Sequence, residues 1–272
     1  MNKIDFVLFV NVDRANPNGD PLDGNRPRTD YLGYGEISDV CIKRKIRNRL
    51  QDLGQNTFVQ SAERCADGYE SLSERATKEI GKEKNIDIYA KKACEKWIDV
   101  RSFGQVFAFK ADSVSVGVRG PVSIHQGVSI SPVEVVSMQI TKSVNSEPAK
   151  GKSSDTMGTK HYVKFGLYKI KGSINVQLAE KTGFNNDDAK LIKESLATLF
   201  ENDSSSARPE GSMAVHKLFW FEHNSKSGDY STLKVHNSVK ATANVDSPSC
   251  ADDYSIFVEP LDGLNCEEID GI

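Results

Sequence analysis

From Lys43 to Arg49 five of seven residues are basic, and Lys43, Arg44, Lys45 and Arg47 fall off the apolar stripe of Ile42, Ile46, Leu50 and Leu53. A helix with one apolar face and a dense cationic one suits a phosphate backbone, because each neutralised phosphate releases condensed counterions. The other reading is a solvated structural face, although such faces normally mix signs. Arg26 and Arg28, in the loop ahead of this helix, extend the basic track. A second basic stretch runs over residues 142–171, where Lys142, Lys150, Lys152, Lys160, Lys164, Lys169 and Lys171 meet only Glu147 and Asp155. A flexible basic hairpin can reach across a single nucleic-acid strand; a surface loop is the alternative. In Arg208-Pro209-Glu210-Gly211-Ser212-Met213 small residues leave main-chain N–H groups open to a phosphate, or simply make a connecting loop.

The residues that could support hydrolysis are weaker. Asp13, Asp20, Asp23 and Asp30 could hold magnesium, yet they sit among turn formers where Asp is expected in any case. His125 and His161 could serve as a base and its partner, but no positioned nucleophile accompanies them. Gly151-Lys152-Ser153 is not a phosphate loop, because position 146, where the leading glycine would stand, is Ser. The five histidines are scattered, and the five cysteines form no C-x-x-C, so no zinc site is expected. No catalytic residue, metal or cofactor is therefore assigned, and unpaired thiols suit a reducing, cytoplasmic setting. The net charge of −3 counts against a nucleic-acid binder. However, residues 251–272 hold seven acids and no Lys or Arg, and the remainder carries +4.

Elements must position these groups. Ile4–Val12 reads as a buried first strand, entered through Met1–Asp5, which lacks the features of a targeting segment. Ser38 can cap the basic helix, Asp39 suits its positive end, and Gly54 stops it. Residues 55–100 read as a polar, mostly helical insertion without a core of its own, with a helix over about 87–99. Short strands follow around Val106–Phe109 and Val114–Val118, and another over Val133–Ile140. Val135–Ser143 and His161–Lys171 flank a Lys/Ser/Gly-rich segment as a long hairpin would, and Gly172–Leu178 alternates as a half-buried strand. A second helix opens at Asn185 or Asn186, with Ala189, Ile192, Leu196, Leu199 and Phe200 inward, and Val215–Phe221 makes a last core strand. Without insertions the order is βαββαβ, which predicts an α+β, ferredoxin-like or RRM-like domain over 1–272. No run of about 18 apolar residues suggests a membrane span.

The motifs are more specific than the pattern. Asn16-Pro17-Asn18-Gly19-Asp20-Pro21 leads into Asp23–Asp30 and then Gly35–Asn48; Asp99–Phe107, Gly117–Ser123, Ser131–Val133 and Thr141–Ser143 follow in order, then Met157-Gly158 and His161-Tyr162. Together they resemble the type I-C CRISPR Cascade backbone proteins, the Csd branch of the Cas seven superfamily (RAMP proteins), over essentially the whole chain. The resemblance implies an RRM-like palm, helical fingers at about 55–100 and a thumb at about 142–171. It implies no enzyme but a ribonucleoprotein subunit of antiviral defence, whose copies stack head to tail on CRISPR RNA (crRNA) beside other type I-C subunits, target DNA being read by guide pairing. By position it assigns Lys43, Arg44 and Arg47, with Arg26 and Arg28, to guide phosphates, and Ser212 and Met213 to the RNA path. Lys142 and His161 would root the thumb, and the Arg101-Ser102-Phe103 turn would orient the RNA. The alternative is an RRM-like metal-dependent ribonuclease dependent on Asp20 or Asp30.

Overall fold

The computed structural model of the chain describes residues 1–81, 83–109, 115–141 and 157–271. At its centre lies strand β1, Ile4–Ala15. Phe6, Leu8, Val10 and Val12 enter one apolar cluster, while Val7 and Phe9 enter another on the opposite face. A strand covered on both sides shows no polar face, which is why Ile4–Val10 is apolar apart from Asp5. β1 pairs antiparallel with β10 (Met157–Ile174) on one side and with β11 (Met213–Glu222) on the other. The sheet runs β14 (Cys266–Asp270), β11, β1, β10, β8 (Gly127–Pro132), β4 (Tyr34–Ile37), with β7 (Val122–Ile124) and β9 (Val135–Thr141) also laid along β10. Separate two-stranded ribbons join β2 (Gly19–Asp20) to β3 (Arg26–Pro27), β5 (Gly104–Phe107) to β6 (Val116–Arg119), and β12 (Val239–Ala243) to β13 (Tyr254–Val258).

Helices α1 (Asp39–Asp52) and α6 (Asn186–Ala197) cover one face of the sheet, burying Ile42, Ile46 and Leu50 beside Ala189, Ile192 and Leu196. Ser38 Oγ accepts from the Cys41 amide at 3.2 Å, and Gly54 takes φ +76° just beyond the helix end. At α6, the Asn185 side chain accepts from the Asp187 and Asp188 amides and the Asp188 carboxylate accepts from the Asn185 amide, which closes a capping box. The other face is covered by α7 (Thr232–Ser238) and the β12–β13 ribbon, with Val235, Val239 and Tyr254 on Val7, Phe9 and Phe219. The fold is mixed α+β around a large antiparallel sheet.

Four sequence readings change. The segment at 55–100 is helical, as α2 (Leu72–Ile80), α3 (Ile86–Lys96) and α4 (Ile98–Phe103), but it has its own core: Phe58, Ala76, Tyr89, Ala93, Trp97 and Val100 close on Phe107 and Val116. Its apolar residues are sparse in sequence and complete the cluster only with the β5–β6 ribbon. The expected helix over about 87–99 breaks at extended Trp97, and Arg101–Phe103 is the end of α4, not a turn. The strand expected to reach Leu178 ends at Ile174; Asn175 caps α5 (Val176–Thr182), whose buried Val176, Ala179 and Thr182 follow helical spacing. Val215–Phe221 is not the last strand, because the acidic terminus supplies β13 and edge strand β14, the latter pairing Glu268 opposite Phe219. Val114, Lys142, Lys150, Lys152 and the hairpin tip lie outside the described residues; the arms pair Thr141 with Met157 through Val135 with Val163.

Candidate nucleic-acid interface

The one-signed charge of α1 does not survive folding, because each of its five cations meets an acid. Lys43 reaches Asp39 one turn back at 2.9 Å, and that hydrogen bond holds the Asp39 carboxyl below its usual range. Arg44 meets Glu63 at 3.4 Å, Arg47 meets Asp99 at 2.9 Å, and Arg49 meets Glu201 at 2.6 Å. Lys45 pairs with Asp203; its burial pushes the amine below its ordinary pKa, against the pull of Asp203. Lys45 therefore lies under the surface, contrary to its expected place on the open face. Arg44 remains accessible, with 62% of its side chain exposed, while Arg47 keeps 14%.

Arg47 is engaged inside the protein. Asp99, only 1% exposed, accepts from the Phe58 amide at 2.6 Å, the Val59 amide at 3.1 Å and Arg47 Nε at 2.9 Å, while the Arg47 guanidinium lies 5.2 Å from the Phe103 ring centre. Arg101 grips Asp188 of α6 with two bonds, 3.0 and 2.7 Å, and donates to the Cys94 carbonyl at 3.2 Å. Ser102 is fully buried. Arg47, Arg101, Ser102 and Phe103 thus bolt the α2–α4 unit to α1 and α6.

Two sets of expected residues do converge across long sequence separations. Arg26 Nη1 donates to Ser137 Oγ at 2.7 Å, and His161 Nδ1 lies 3.0 Å from that hydroxyl and 3.5 Å from Arg26. With its oxygen accepting from Arg26, Ser137 can pass its own hydrogen to His161. Arg28 sits nearby and meets Asp20 at 3.4 Å. The loop before α1 is thereby fastened to the root of the β9–β10 arms. In the same loop, Asp30 Oδ1 accepts from the Leu32 and Tyr34 amides at 2.9 Å each, and Asp20 Oδ1 from the Leu22 amide at 3.0 Å. These carboxylates shape turns, and among the described residues no group of three or more His, Cys, Asp or Glu is placed to hold a metal ion. His125 is well away from this group, edge-on to His236 at 5.6 Å between ring centres.

The second convergence is an open groove of about 740 Å³ between the Pro17–Asn25 loop, the outer side of α1 and the Asn202–Arg208 turn. Arg44, Arg64 and Arg208 line it with Asn48, Asn202, Ser204 and Ser205. A separate shallow recess, which shares Asp203, Ser204 and Arg208 with the groove, is lined by Gly211, Ser212 and Met213. Ser212 donates to the Pro209 carbonyl at 2.6 Å and its own carbonyl accepts from the Asp13 amide at 2.8 Å, so this loop is tied to the end of β1; Met213 is largely buried. Arg64 spans the groove wall: it bonds Asp52 at 2.7 Å, the Asn202 carbonyl at 2.7 Å and the Asn48 carbonyl at 3.5 Å. Arg64, Asn48 and Asn202 were not singled out from sequence, because nothing periodic or compositional marks them. The arrangement can hold a flexible anionic polymer by mixed ionic and neutral hydrogen bonds, with the exposed Arg44 as its most available cation.

Known proteins match this architecture. Residues 2–259 match the family described as CRISPR-associated protein Cas7. A Haloferax volcanii protein of that same description is 24% identical over 230 residues, which are 76% of this chain and 66% of that protein, just under two thirds of its length. A chain from a structure described as "CRISPR RNA-guided surveillance complex, pre-nicking" superposes with a TM-score of 0.53 at 15% identity, covering 86% of this chain and 82% of that one. That likeness is one of fold.

Proposed function

The chain belongs to the CRISPR-associated protein Cas7 family, and from that premise we propose that it is the guide RNA-binding backbone subunit of a type I-C CRISPR surveillance complex, acting in antiviral defence and not as an enzyme. Copies stack head to tail along the CRISPR RNA beside other type I-C subunits in the cytoplasm and present the guide for pairing with target DNA. An RRM-like palm is supported by the strand order β11, β1, β10, β8, with α1 and α6 as the two helices of the βαββαβ skeleton. The α2–α4 unit suits fingers, and the β9–β10 arms suit a thumb rooted at Arg26, Ser137 and His161. No helix of the described residues is long and apolar enough to cross a membrane.

The observation that carries this reading is the groove where α1 meets the Asn202–Arg208 turn, which brings Arg44 of the basic helix beside the segment that leads to Ser212 and Met213. Arg44, in its lining, and Lys43, one residue earlier on α1, pair with partly or wholly exposed acids, and such pairs are worth little, so phosphates can replace the acids at small cost. The test is to co-express the chain with neighbouring CRISPR subunits and a repeat array, purify it by tag and sequence the bound nucleic acid. A uniform, nuclease-protected guide-length RNA carrying several copies of the chain is the expected result. Failure to retain RNA at modest salt, or recovery of RNA shortened by magnesium-dependent cutting, would remove the proposal.

A further inference from the structure

Two arginines form a chain of contacts from α2 to the wall of the groove. Arg75 of α2 is 2% exposed, and its guanidinium gathers the segment ahead of that helix. It donates to the Phe58 carbonyl at 2.9 Å, to Gln60 Oε1 at 3.4 Å and to the Asp67 carboxylate at 2.6 and 2.8 Å. Between these anchors lies the short turn Ala62–Arg64, and from it Arg64 reaches outward. One of its terminal nitrogens bonds Asp52 and the Asn48 carbonyl near the end of α1; the other bonds the Asn202 carbonyl on the Asn202–Arg208 turn. A planar guanidinium makes such bonds in fixed directions at once, which a compact ammonium does not. Asn202 has φ +55°, a left-handed conformation that a residue with a side chain keeps where its contacts fix it. The charge of Arg64 is matched by Asp52, and the two side chains are only 21% and 20% exposed. Arg64 therefore lines the groove without being its available cation, which is Arg44.

We infer that Arg64 is a positioning residue: it sets the spacing of the groove walls by holding the Asn202 turn against the end of α1, and it couples that spacing to the folding of the α2–α4 unit through the segment that Arg75 clamps. The inference rests on the RNA-binding function proposed above and concerns how that site is held. Coupling between two sites is reciprocal, so a polymer bound in the groove stabilises α2, which is not part of the groove lining.

The experiment titrates the full chain, parent and Arg64→Ala, with a single-stranded RNA oligonucleotide at several salt concentrations, read by fluorescence anisotropy, and follows amide hydrogen exchange with and without that RNA. Arg64→Ala should bind RNA about five- to tenfold more weakly, at the low end of coupling between sites, because Lys45 and Arg49 still hold the turn through Asp203, Glu201 and Thr198. Its salt slope should stay parental, since no phosphate contact is lost, whereas removing a phosphate-binding cation lowers the slope by about one. Arg64→Lys keeps the charge but not the fork, and should remain weak. In the parent, RNA should slow exchange at Arg75, Ala76 and Ile80 of α2. In Arg64→Ala that slowing should disappear, and exchange over Asn202–Arg208 should rise. Parental exchange in β1 reports that the variant is folded. A slope lowered by about one, or full affinity in Arg64→Lys, would make Arg64 a phosphate contact and overturn the inference. Parental affinity in Arg64→Ala, or an α2 that RNA leaves unprotected in the parent, would overturn it as well. Each of these results leaves the RNA-binding proposal standing, whereas absence of RNA binding by the parent would overturn both.

Discussion

Replacing Arg47 by Ala separates two roles that an arginine on a basic helix could have. In the structure it is the cationic partner of Asp99, whose other donors are the Phe58 and Val59 amides. Removing one partner of a buried ion pair costs about 3–5 kcal/mol, because the remaining charge stays desolvated. Asp99 keeps two amide donors and Arg47 is partly solvated, which places the loss near the bottom of that range. Loss of the guanidinium from the Phe103 ring adds about 0.5–1 kcal/mol. The expected total is about 3–4 kcal/mol, a fall in Tm of roughly 6–15 °C for a chain of this size. Arg47→Met, which retains the apolar stem, should cost less than Arg47→Ala. The assay is urea unfolding combined with amide hydrogen exchange, and the loss should concentrate at Phe58, Val59 and the α2–α4 core. An Arg47→Ala protein with parental stability and parental exchange at Phe58 and Val59, but with RNA affinity abolished, would refute the argument and return Arg47 to the phosphate track.

Gly172 of β10 faces the Phe6 ring so closely that an added Cβ would enter it, and the same Cβ would stand 2.7 Å from the Ser123 carbonyl oxygen; Gly172→Ala should destabilise by about 1–3 kcal/mol in urea unfolding, as overpacked cores do. His236 is buried with Nε2 2.9 Å from the Gly172 carbonyl, and desolvation pushes its pKa below the ordinary value, as it does for His125 and His216. Around His236 stand His125 and Lys171, which oppose its protonation, and Asp5, which favours it. Below the unfolded-state pKa of about 6.5 the unfolded chain takes up protons that the folded chain refuses, so stability is full above that pH and declines as pH falls through it. Urea midpoints should therefore drop between about pH 6.5 and 5, and His236→Gln should make that part of the profile shallower.

What could be read in the sequence was what depends on local pattern. The β1 run, the Ser38 cap, a helix start at Asn185 or Asn186, and the Ile42, Ile46, Leu50 and Ala189, Ile192, Leu196 stripes each follow from local pattern within one element. The breaks came where two patterns coincide: Ile174, Val176 and Leu178 alternate as in a strand, yet Asn175 supplies a cap and the helix prevails. The α2–α4 core was illegible because Phe107 and Val116, which complete it, lie beyond the segment. The same limit governs the site. Five cations in seven residues look unbalanced until Asp99, Glu63, Glu201 and Asp203 arrive from distant segments, and no local window contains those partners. Arg26 and His161 were each singled out, but only the pairing of β9 with β10 puts Ser137 between them.

Strand β10 has a mechanical consequence. Its first residues, Met157–Val163, form one arm of the hairpin, and from Val163 to Ile174 the same strand is the partner of β1 in the middle of the sheet. No turn or loop separates the two parts, so a force on the arm directed along the strand passes straight into the β1 ladder. There it loads the pairs from Ala15–Val163 to Ile4–Ile174 in shear, all at once, instead of peeling them one by one. An arm built this way bears tension without first unravelling at its base, whereas the same arm on a flexible stalk would yield at the stalk.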